Sequence, residues 1–194
     1  MAIPRMISPL PILALLLTRD GTRVSVANAY VGRVYDMTLD LIARAAALIA
    51  VLGTAVVYGT DMFCAIVLRP ALASVDDATL VEVTGNVHRY GDRRMPVPGV
   101  LGVVAAAATV VLAAVAAQWP QAIAAAVALV LLLVWIVLYT RVSAPVNREL
   151  TAAVDAGRSI PNGRVLQEKW DRIIGVRAVL QGLAVTVLCV ALTI

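Results

Sequence analysis

The single histidine of the chain, His88, stands four residues before Asp92. On a helix that spacing puts both side chains on one face, where the carboxylate would orient the imidazole and raise its basicity. An imidazole held in this way can serve as a general base towards an acidic C–H or a phenol. An arginine near such a base can stabilise the enolate or superoxide-like charge that proton removal leaves. Two more ionisable residues, Asp61 and Arg177, lie inside apolar runs. Isolated charges there cost several kcal/mol, and a facing pair offsets much of that cost, so the two are expected to point inward and meet.

Other polar residues fall on the same faces. Thr54, Tyr58 and Asp61 share a stripe at i, i+4, i+7, and Trp170, Arg177 and Gln181 make a similar one. Trp135 and Tyr139 are four apart, with Asn147 just beyond Pro145. All of these converge on one end of the protein. Each also has a plainer use: Arg93 and Arg94 as headgroup anchors, Trp135 and Trp170 as belt residues, Asp61 with Arg177 as a structural ion pair, His88 as a solvated loop residue. One histidine leaves only carboxylates to complete a metal site, and Cys64 and Cys189, both within apolar runs, fit buried small hydrophobes. No Gly-rich phosphate loop, CxxC, CxxCH or nucleophile elbow is present.

The elements that must position these groups are membrane spans. The 194 residues are 61% hydrophobic and 14% charged, with a mean hydropathy of +0.91. A soluble domain is about 45–50% apolar and about 25% charged. Four runs are long enough to cross about 30 Å of hydrocarbon: 41–68, 97–117, 122–142 and 173–194. Backbone groups must pair within lipid, so the runs are helices, and the expected fold is an all-α integral membrane four-helix bundle. Between spans one and two, apolar residues at Leu72, Val75, Leu80, Val83 and Val87 predict an extra amphipathic helix, with Ser74 and Asp77 resembling a capping box. Residues 1–36 form an N-terminal extension whose apolar run is too short to span. Met37 is a plausible native start for the membrane domain, 37–194.

The formal charge of +4 comes from basic residues scattered over connections, which speaks for lipid contact and against nucleic acid. The first and third connections hold Arg69, Arg89, Arg93, Arg94, Arg141, Arg148, Arg158, Arg164, Lys169 and Arg172, against at most Arg5, Arg19, Arg23, Arg33 and Arg44 opposite. That asymmetry predicts a multi-pass cell-membrane protein with these connections cytoplasmic and both termini outside. A Gly175, Ala178, Gly182 stripe permits close helix contact, within a protomer or in an oligomer.

Over residues 41–194 the sequence resembles the anthrone oxygenase family, a group also catalogued as a domain of unknown function, DUF1772. The resemblance rests on Tyr58-Gly59-Thr60-Asp61, Phe63 and Arg69-Pro70-Ala71-Leu72, on His88 to Pro96, on Ala144-Pro145-Val146-Asn147, and on Trp170 with Arg177. It implies a four-span protein that oxidises a lipophilic anthrone to an anthraquinone, with O2 as co-substrate and no cofactor. His88, with Asp92, would be the base, and Asn147, Trp170 and Arg177 would hold substrate oxygens. Tyr58, Asp61, Arg94 and Tyr139 would complete the substrate contacts. The rival readings are a non-enzymatic binding or assembly protein, and a metal or quinone redox protein using His88, Asp92 and Asp61.

Overall fold

The computed structural model describes residues 20–158 and 160–194. Helix α1 (Asp20–Phe63) runs through a π-helical turn (Cys64–Leu68) into the short α2 (Arg69–Ala73). After a brief turn come α3 (Asp77–Arg94), α4 (Pro96–Val115) and α5 (Trp119–Leu138). A second π turn (Tyr139–Ser143) leads into α6 (Ala144–Asp155), and α7 (Gly163–Thr193) closes the bundle. No strand occurs among the described residues. Four continuous helical stretches, Ala27–Ala73, Pro96–Val115, Trp119–Asp155 and Gly163–Thr193, are long and apolar enough to cross a membrane.

The packing is that of a membrane bundle, with small residues inside and large apolar ones outside. Ala47 and Ala50 on α1, Ala106 and Ala113 on α4, Ala125 and Ala128 on α5, and Ala184 and Ala191 on α7 are completely buried. Val97, Val111, Val130 and Val179 face outward. Without a hydrophobic drive between helices in lipid, such thin seams let backbones approach and gain dispersion contact. A close seam joins α1 to α4: a Cβ added to Gly53 would lie 2.7 Å from the Pro98 carbonyl oxygen, and one on Gly102 2.8 Å from Thr54 Oγ1. Of the small-residue stripe on α7, Ala178 is buried and Gly182 meets the Tyr58 ring, whereas Gly175 has nothing close.

The helices run further than their apolar runs suggest. Pro70 and Pro145 look like stops, because proline removes an amide donor and crowds the preceding turn. In both cases a five-residue π turn ends two residues before the proline, and the wider turn lets the chain continue as helix. The third span therefore extends past Val142 to Asp155, and the last begins at Gly163, ten residues before Ile173. Similarly, α1 already begins at Asp20, so 20–36 continue the helix that carries the first span; residues 1–19 of the extension lie outside the described residues.

The expected extra helix is α3. Its N-cap is Asp76, whose carboxylate accepts from the Thr79 amide at 2.9 Å and hydroxyl at 2.7 Å. Ser74 instead ends α2, its Oγ donating to the Ala71 carbonyl. The capping-box expectation is thus corrected by two residues: Asp76 has the extended backbone of a cap and Ser74 is helical. Helix α3 lies against α6 so closely that a Cβ on Gly85 would be 2.6 Å from the Leu150 carbonyl oxygen. Leu80, Val81, Val146, Leu150, Trp170 and Ile174 form the core of this crown. At the other end, Arg44 bonds Asp40 and the carbonyls of Leu192 and Ile194. Cys189 proves exposed rather than buried, while Cys64 is buried.

Candidate functional site

Where the crown meets the bundle, a cavity of about 350 Å³ lies between α1, α3, α4, α5 and α7. Its polar side is built around Arg177, which is 5% exposed. The guanidinium donates from Nη2 to Asp61 Oδ1 at 2.8 Å and from Nη1 to Ser143 Oγ at 2.7 Å. Gln181 Nε2 donates to the other Asp61 oxygen at 2.5 Å. The rings of Tyr139 and Trp170 lie 5.5 and 5.6 Å from the guanidinium carbon, within cation–π range. The inward Asp61–Arg177 pair expected from the cost of charge in lipid is present.

Asp92 is held differently from the expectation. Its Oδ1 accepts from the Tyr139 hydroxyl and from Asn147 Nδ2, each at 2.8 Å, and no hydrogen bond joins it to His88. The imidazole sits against Trp170, with ring centroids 5.4 Å apart. Burial pushes the His88 imidazole down to about 4; the Asp92 carboxylate pulls the other way, Arg177 adds to the fall, and Gln167 works against it. Desolvation of the cation outweighs the nearby carboxylate. The expected rise in basicity is therefore reversed, and His88 is a neutral imidazole at pH 7.

The cavity brings together His88, Asp92, Asn147, Trp170, Arg177, Asp61 and Tyr139. It does not include Tyr58, whose ring packs on the Gly182 position, or Arg94, which stacks over Tyr90 at 5.3 Å. Thr60, Cys64, Thr84, Gln167 and Trp135 also line it. Gln167 was legible in principle, since Gln167, Trp170, Ile174, Arg177 and Gln181 form one buried stripe of α7. The charges at Glu168, Lys169, Asp171 and Arg172 hide it by reading as a loop.

Several buried polar atoms on lining residues have no partner: His88 Nε2, Trp135 Nε1, Asn147 Oδ1, Gln167 Oε1, Trp170 Nε1 and Arg177 Nε. Buried polar atoms are nearly always hydrogen-bonded, so such a cluster of donors and acceptors suits a polar ligand group. An indole N–H and a guanidinium N–H near a neutral imidazole can receive a substrate oxygen and a proton from the same molecule. Among the described residues no three His, Cys, Asp or Glu side chains gather as a metal-binding group.

No family model, curated protein or solved structure matches this chain.

Proposed function

We propose that the protein is a membrane oxygenase acting on a lipophilic, anthrone-like aromatic substrate with O2, with no resident cofactor. The observation that carries this reading is the neutral His88 imidazole, its Nε2 unpartnered, beside the unpartnered Trp170 Nε1 and Arg177 Nε in a buried cavity. The resemblance of residues 41–194 to anthrone oxygenases points the same way.

In this reading His88 takes the proton of the substrate's benzylic C–H, and Trp170 and Arg177 stabilise the enolate oxygen. The carbanion passes an electron to O2, the radicals combine to a hydroperoxide, and loss of water leaves the quinone. One anthrone and one O2 give one anthraquinone and one water. Asn147 and Tyr139, fixed by Asp92, hold the ring's other oxygens. The excess of arginine near α3 and α6 favours a cytoplasmic site, with the protein spanning the cell membrane.

A second reading has its own observation. Asp61 is fully answered by Arg177 and Gln181, as in a structural ion pair of a non-enzymatic binder or assembly protein. Formation of anthraquinone from emodin anthrone by purified protein, lost in His88→Ala with unfolding temperature retained, supports the oxygenase. Stoichiometric copper or iron by elemental analysis would instead favour a metal redox protein built on His88, Asp92 and Asp61. Neither product nor metal would leave the non-enzymatic reading.

A further inference from the structure

We propose that the cavity is reached sideways from the bilayer, through a window between α4 and α5 rimmed by Val100, Val104, Ile136 and Thr140. This rests on the reading that the cavity holds a ligand, and it adds the route and the orientation in which that ligand arrives.

Some residues both line the cavity and face outward. Val100 and Val104 line it yet are 61% and 60% exposed. Thr140, across the gap on the π turn after α5, also does both. Such residues mark an opening. Counted from Pro96, Val100 and Val104 lie about 6–12 Å along α4, inside its membrane-crossing stretch. The opening therefore faces acyl chains, below the headgroups. On the crown side α3 lies over the cavity, with Leu80, Thr84 and His88 buried beneath it.

The gap has a structural cause. The Gly53–Gly102 seam draws α4 onto α1. Helices α4 and α5 meet closely at their hairpin, residues 116–118, but at the far end the Trp135 indole stands between them, 3.4 Å from where a Gly99 Cβ would lie. The indole forms the sill of the window. The rim is apolar apart from Thr140, whereas the unpartnered polar atoms lie inside. An uncharged lipophile with hydrogen-bonding oxygens at one end fits this arrangement, polar end first, its remainder left among the lipid chains.

Trp119 lies at the opposite end of the bundle, and the other two tryptophans line the cavity. In Trp119→Phe protein in phosphatidylcholine nanodiscs, quenching of fluorescence by emodin therefore reports on arrival in the cavity. Val100→Phe with Val104→Phe should slow both quenching and its reversal roughly tenfold, because a narrowed passage is crossed in both directions. Val111→Phe, on the same helix away from the cavity, should change neither. Equal rates in the window variant and its parent would overturn the proposal, as would absence of quenching. Slowed binding without oxidation of emodin anthrone would keep the window and remove the oxygenase. Oxidation at a rate indifferent to the window would do the reverse.

Discussion

Asp61 and Arg177 are 3% and 5% exposed, and neither can be removed without leaving the other's charge buried. We expect Asp61→Asn to destabilise the protein by about 3–5 kcal/mol, and Asp61→Leu with Arg177→Met to cost less than the two single changes summed. Chemical unfolding in detergent would measure both, and near-neutral single variants would refute the pairing. His88 makes stability depend on pH. Its folded-state value of about 4 lies below the ordinary 6.5, so between these the unfolded chain binds the extra proton. Stability should thus be complete above about pH 6.5 and fall as pH drops towards 4, and His88→Phe should flatten that fall. Melting temperatures across this range check it; stability rising on acidification would contradict it. The ion pair was legible in sequence because charge inside an apolar run demands a partner. The environment of His88 was not, because i, i+4 spacing shows that Asp92 is near but not that Tyr139 and Asn147, from distant sequence, already occupy its oxygen.

Elements carry these residues through two π turns. Deleting Thr140 should convert the second into an ordinary helical turn and rotate α6 by about 100°, moving Asn147 away from Asp92. We expect substrate binding to be lost while the helical content measured by circular dichroism stays the same. Gly85→Ala tests the crown: its methyl would meet the Leu150 backbone, which cannot turn aside, and should cost about 1–3 kcal/mol. The number of spans was readable because lipid demands about 20 apolar residues for each. Their ends were not, because Pro70 and Pro145 are helix stops by propensity and only the π turns allow passage. The charged start of α7 was hidden similarly, since Glu168, Lys169 and Arg172 are exposed while Gln167 and Trp170 beside them are buried.

At the scale of the whole molecule, residues 28–37 are exposed along α1, clear of the bundle. Removing 1–36 should change unfolding stability by less than about 0.5 kcal/mol; a larger loss would show that the extension supports the fold. Convergence of the polar residues on one end could be read from helical spacing alone. The sideways opening could not, because it depends on helix separations set by Gly53, Gly102 and the Trp135 indole. Isotopic oxygen tests the proposed oxygenation in this cavity most directly. With ¹⁸O2 and emodin anthrone in nanodiscs, the quinone should carry one ¹⁸O atom, formed at a rate proportional to protein and abolished in His88→Ala. Product formed no faster than without protein, or equally fast in the variant, would contradict the claim.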